Sequence, residues 1–159
     1  MMNELVKGIL IGLIPALVVS VTTAIITVRL SLKQFHSQRW WEKRAEAYSK
    51  IMEQLSYLVY YHQEWIDEDL GLSKMSGDKK QELWERYSKI KEELTRVAAM
   101  GSYIVSENTS AAVEDLLKEF SRTDSEPDFG NMLGNRYTSV QKCIGIVRDD
   151  AKNSLGVTK

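Results

Sequence analysis

Residues 8–28, GILIGLIPALVVSVTTAIITV, carry no charged side chain. A helix rises about 1.5 Å per residue, so a stretch of this length spans roughly 30 Å, the thickness of a bilayer's hydrocarbon core. The basic residues that follow are crowded: Arg29, Lys33, Arg39, Lys43 and Arg44 lie on the C-terminal side, against Lys7 on the other. The positive-inside rule then places the N-terminus outside and residues 30–159 in the cytoplasm. A cleaved signal peptide has a shorter apolar region, roughly 7–15 residues, preceded by its basic flank. This chain reverses that order, so a retained anchor is expected. Met1 to Lys7 form only a short external tail, too small to bind an extracellular ligand.

The remaining residues suit one domain able to bury a core. Cys143 is the single cysteine, which excludes an intramolecular disulfide and agrees with a reducing compartment. Charge is unevenly spread. Residues 29–44 hold five basic residues and Glu42, a net +4, whereas residues 45–159 are net −5. The positive collar suits anionic lipid head groups, and the acidic remainder disfavours nucleic acid.

Proline occurs only at positions 15 and 127, so long helices can run between them. Trp41, Ala45, Tyr48, Met52, Leu55, Val59, His62 and Ile66 recur at alternating steps of four and three. Ile51, Leu58 and Trp65 widen this stripe to the width of a bundle core. Extended backward, its register meets Gln38, Gln34 and Ser31, so core packing should stop near Trp41. Residues 29–40 would then be a helical stalk, and residues 41–159 the bundle. A second seam runs Leu83, Tyr87, Ile90, Leu94, Val97, Gly101 and Ile104. Asp78 and Gln81 suggest a capping box at its start, and Gly101 a slot for a close neighbouring helix. That register fails at Asn108 and Asp115. Val113, Leu116, Leu117 and Phe120 therefore start a short helix capped by Ser106. Residues 121–130, SRTDSEPDFG, read as a loop. Leu133, Tyr137, Val140, Ile144, Val147 and Ala151 form the last seam, ending near Gly156. The expected fold is all-α: one transmembrane helix followed by an up-down cytoplasmic bundle of three long helices and one short one.

Residues 39–51, RWWEKRAEAYSKI, following an N-terminal anchor, resemble small uncharacterised bacterial membrane-anchored helical-bundle proteins. The resemblance implies a bacterial inner-membrane location and a helical fold, and brings no catalytic residues.

Several motifs compete with ordinary packing. Gly8, Gly12, Ala16, Ser20 and Ala24 place a small residue at every fourth position, a row along which two membrane helices can approach and form a homo-oligomer. Trp40 lies off the seam and is the candidate partner contact, whereas Trp41 lies on it and is expected to be core. His62 lacks a second ligand one turn away and reads as a hydrogen-bonded core histidine. Arg29 and His36 match the R-x(4–6)-H spacing of the HEPN group of ribonucleases, where arginine holds phosphate and histidine does acid–base work. Their place beside the span makes chance the better explanation. Cys143 reads as a buried, inert thiol. A ligand pocket between helices would draw on Tyr57, Tyr60, Tyr61 or Trp65. No metal site and no cofactor are expected. The leading expectation is a membrane-tethered interaction or regulatory module without catalysis. The alternatives are a membrane-anchored HEPN-like ribonuclease and a small-ligand sensor.

Overall fold

In the computed structural model, residues 2–100 and 103–157 are described, with side chains from Leu17 onward. Among them there is no strand. Four helices follow one another: α1 (Met2–Asp69), α2 (Gly77–Met100), α3 (Glu107–Thr123) and α4 (Phe129–Leu155). The chain divides into two compact units, Met1–Glu42 and Lys43–Lys159.

In the first unit every described side chain, residues 17–42, is exposed. The second unit is a helical bundle with one continuous core. Tyr48, Ile51, Leu55 and Leu58 of α1 meet Leu83, Tyr87, Ile90 and Leu94 of α2, Val113, Leu116 and Phe120 of α3, and Val140, Ile144 and Val147 of α4. Contacts at the helix ends give the directions. Glu64 and Glu68 near the end of α1 pair with Lys79 and Lys80 at the start of α2. Arg136 early in α4 bonds to Phe120 and Thr123 at the end of α3. Tyr48 of α1 bonds to Asp150 late in α4. Ser110 at the start of α3 donates to Ala98 O at the end of α2, at 3.5 Å. Consecutive helices in this unit therefore run antiparallel.

The helix ends follow local chemistry. Gly71 (φ 71°) turns the chain after α1, and the Leu72 N–H donates back to Asp67 O at 2.8 Å, a glycine-assisted stop. Ser106 caps α3, its hydroxyl accepting from Thr109 N–H, and Gly156 (φ 69°) ends α4.

Four expectations need correction. Ser76, not Asp78, caps α2: its hydroxyl accepts from Lys79 N–H at 3.2 Å, and the helix starts at Gly77. The 121–130 loop is shorter than its polar composition suggests, since α3 runs to Thr123 and Asp128 already caps α4. Trp41 is 48 % exposed rather than core, and burial begins about one turn later. The buried stripe of α1 is also rotated. Ile51, Gln54, Leu58 and Tyr61 are buried, while Met52 and Val59 are half-buried. Tyr61 turns inward because its ring stacks on Tyr87 of α2, with centroids 4.4 Å apart. The Gly101 slot lies outside the described residues.

Candidate functional site

The first candidate region is the exposed part of α1. From Leu17 the helix contains a window long and apolar enough to cross a membrane, of mean hydropathy 1.3, and none of that window is buried. Leu17, Val18, Val19, Val21, Ile25, Ile26 and Val28 are all exposed. The hydroxyls of Thr22, Thr23 and Thr27 donate to the carbonyls of Val18, Val19 and Thr23, one turn back. This removes the polar cost such side chains would carry in hydrocarbon. Ser56, Ser88 and Thr95 in the bundle do the same, so the habit permits a lipid environment without requiring one. Ser20 and Ala24 of the small-residue row are exposed. The side chains of Gly8, Gly12 and Ala16 lie outside the described residues.

Of the basic collar, Arg29, Lys33, Arg39 and Lys43 are exposed. Arg39 lies over the Phe35 ring, 4.8 Å from its centroid. Arg44 departs from the group: it is half-buried, and its Nε–H donates to Ile104 O at 3.0 Å. It therefore ties the α2–α3 connection to α1. Trp40 is 42 % exposed. Arg29 and His36 are exposed on the same helix, and a seven-residue separation leaves them about 10 Å apart along the axis.

The bundle holds a second set of polar groups that no local pattern announced. Asp150 accepts from the hydroxyls of Tyr48 (2.8 Å), Thr109 (2.5 Å) and Ser106. Tyr48 Oη also accepts from Ser106 N–H at 3.1 Å. Burial would raise the Asp150 carboxyl, but these hydroxyl donors, with Arg44 nearby, outweigh it and hold the group below its ordinary range. Arg136, 8 % exposed, donates to Thr123 Oγ1 and Phe120 O, each at 2.8 Å, and to Asp124. Both clusters join helix ends, with their hydrogen-bonding capacity directed at the fold.

His62 is fully buried, and its Nδ1 lies 2.6 Å from Leu58 O. Burial lowers its pKa to about 4, against the opposing Leu58 hydrogen bond. The ring is packed by Tyr61, Tyr87 and Phe120. Cys143 is buried, 3.6 Å from Ala112 O, and burial pushes its thiol up to about 12. At neutral pH it is protonated and a poor nucleophile. Among the described residues no group of three or more His, Cys, Asp or Glu could hold a metal ion.

The four residues proposed for a pocket do not gather around one. Tyr61 is in the core, Tyr57 lies under Arg86 (4.1 Å), Tyr60 is exposed, and Trp65 is half-buried beside Phe129. The largely apolar groove lies elsewhere, between α1 and α2. Ala47, Ile51 and Gln54 face Val97 and Met100 across it, with Ile104 and Val105 from the following connection.

Comparison with known protein families, curated proteins and solved structures finds no match to this chain.

Proposed function

We propose that this protein is a membrane-tethered interaction or regulatory module without catalytic activity of its own. Residues 8–28 cross a bacterial inner membrane with the N-terminus outside. Residues 29–40 form a stalk at the lipid head groups, and the bundle works in the cytoplasm. One observation carries the reading: from Leu17 to Val28 apolar side chains are exposed on every side of α1. A soluble helix hides such residues on one face, and an unpartnered apolar surface of this kind in water promotes association. Lipid satisfies all faces at once. Orientation rests on Arg29, Lys33, Arg39 and Lys43, whose exposed positions suit anionic head groups. The half-buried Asp150 and the buried Arg136 and His62 support a structural use of the bundle's polar groups. Trp40 is the proposed protein contact. The row continued by Ser20 and Ala24 is the proposed site of self-association.

Alkaline washing of membranes tests the tether. The full chain should remain in the pellet. A Val21→Arg/Ile25→Arg variant should be extracted, because each arginine near a span centre costs about 2.5–3.5 kcal/mol. Extraction of the unmodified chain would contradict the tether. A photo-cross-linking residue at position 40 tests the contact: it should give a discrete protein adduct, and lipid adducts alone would reduce the reading to an anchor.

A further inference from the structure

The turn between α1 and α2 holds Leu70 and Leu72 outward, 65 % and 75 % exposed, although turns favour Gly, Asn, Asp and Ser. Met75, from the same connection, is buried and supplies its anchorage in the core. The two leucines are thus not needed to seat the turn. Nor are they loosely held. Leu70 N–H donates to Ile66 O at 3.0 Å, and the Leu72 and Ser73 N–H groups both donate to Asp67 O, at 2.8 and 3.2 Å. The start of α4 lies at the same end of the bundle. Its Phe129 is 47 % exposed and sits edge-on to Trp65 of α1, with ring centroids 6.2 Å apart. The next residue reaches the end of α1 closely: a Cβ at Gly130 would lie 3.0 Å from Asp69 Oδ2. Leu70 and Phe129 are chain neighbours of that contact, so the three apolar side chains share one end of the bundle. Single exposed apolar residues need no explanation, but a group of them on a hydrogen-bonded turn marks a contact surface.

The charges around this patch say what covers it. Asp69 and Asp128 are exposed and flank the same glycine, since Asp128 Oδ1 would lie 3.4 Å from the Gly130 Cβ. Asp67 is half-buried on the turn beside them. The nearby lysines are engaged elsewhere: Lys79 and Lys80 pair with Glu64 and Glu68, and Lys74 acts on Glu68. Among the described residues no ion pair reaches Asp67, Asp69 or Asp128. Such a surface repels anionic head groups and nucleic-acid phosphate. Two copies meeting end to end would set acid against acid. A cationic partner gains attraction here without first breaking an ion pair. We propose that this end of the bundle docks a basic amphipathic segment of another protein. The segment's apolar side chains cover Leu70, Leu72 and Phe129, and its Lys or Arg side chains meet Asp67, Asp69 and Asp128. Burial of the leucines supplies the affinity, and the carboxylates select the partner and fix its register. This adds a second surface to the interaction-module reading and rests on neither the tether nor Trp40, so either can fail alone.

The test uses the full chain in zwitterionic lipid nanodiscs. Methyl NMR of Leu70 and Leu72 reports the site, and anisotropy of a labelled peptide reports affinity. The probe is a helical peptide with leucine along one face and lysine elsewhere. One relative carries glutamate at every lysine position, and another carries serine at every leucine position. Empty nanodiscs correct for peptide taken up by lipid. The lysine peptide should shift both leucine signals saturably and bind about tenfold more tightly than either relative, with its lead over the glutamate peptide narrowing as salt rises. Leu70→Ser/Leu72→Ser should weaken it about tenfold, while Trp84→Ser, at an exposed aromatic elsewhere on α2, should leave it unchanged. Asp69→Asn/Asp128→Asn keeps both volumes and the cap of α4, and should erase the preference for lysine over glutamate. Absence of saturable shifts with the lysine peptide would overturn the proposal. So would equal binding of the lysine and glutamate peptides, or undiminished binding by the double-serine variant. Shifts of Leu70 and Leu72 caused by phosphatidylserine vesicles, or by raising the protein concentration without peptide, would assign the surface to lipid or to a second copy and overturn it too. If a variant fails to fold, the lysine-to-glutamate ratio on the unmodified chain decides the outcome.

Discussion

Residues 17–43 and 44–69 belong to the same helix, yet their side chains follow opposite rules. In the first stretch Leu17, Val19, Val21 and Ile26 are all about half or more exposed, and no face is buried. In the second, Tyr48, Ile51, Leu55 and Leu58 are buried, while Glu53, Ser56, Tyr60 and Gln63 face outward. The backbone is helical throughout, so the difference lies in what each stretch asks of its surroundings. A one-sided stripe asks for neighbouring helices. Residues 17–28, apolar all round, ask for an apolar medium. Helix propensity alone would not have distinguished them.

The largest effects should come from the packed stretch and its neighbours. Phe120 is fully buried and touches His62 and Tyr87. Phe120→Ala should destabilise the bundle by about 3–5 kcal/mol, and Leu55→Ala or Leu94→Ala by about 2–5 kcal/mol. Val21→Ala should leave bundle unfolding unchanged. Denaturant melts of the full chain in detergent, followed by tryptophan fluorescence, would measure all four. Similar shifts for Val21 and Leu55 would break the contrast between the two stretches.

Acid should act next, through His62. Its folded pKa of about 4 lies below the ordinary 6.5. The unfolded chain therefore takes up the proton first, and stability falls as pH drops from about 6.5 toward 4. The full loss would be roughly 3 kcal/mol. Melts of His62→Leu across this range should be flatter than those of the unmodified chain. Parallel curves would mean that His62 is solvated.

A smaller effect is expected at Asp150. Asp150→Asn keeps the volume and weakens three hydroxyl hydrogen bonds, costing about 1–3 kcal/mol at neutral pH. The carboxyl of Asp150 is depressed in the folded state. Its contribution is present above the unfolded carboxyl range and is lost as pH falls through the folded value. The gap between the two proteins should therefore close in strong acid, as read by melts at stepped pH. The smallest change belongs to Trp41→Ala, expected within about 1 kcal/mol because the side chain lies outside the core. A loss comparable to that at Phe120 would return Trp41 to the core.

Periodicity made much of this fold legible. Leu83, Tyr87, Ile90 and Leu94 are buried on one face of α2, and Ser106 caps α3 where the second register fails. The errors occurred where tertiary partners decide. Tyr61 is drawn inward by Tyr87, a contact across helices that no spacing within α1 encodes. Trp41 satisfies the seam arithmetic but has no core there to enter, and apolar identity alone did not show where packing starts. Asp150 and Tyr48 are 102 residues apart, so their bond was invisible locally. Charge held one overlooked clue. The acidic end of α1 and the basic start of α2 each oppose their own helix dipole. Glu64–Lys79 and Glu68–Lys80 resolve this by pairing across the turn. The groove between α1 and α2 escaped notice because its walls come from three separate segments.

The central claim is that the exposed stretch of α1 lies in a bilayer with the bundle on the cytoplasmic side. Paired reporter fusions after Lys159, one active only in the cytoplasm and one only outside it, test this directly. The account predicts signal from the cytoplasmic reporter alone, with the fusion retained in alkaline-washed membranes. Activity of the external reporter, or release of the fusion into the soluble fraction, would contradict it.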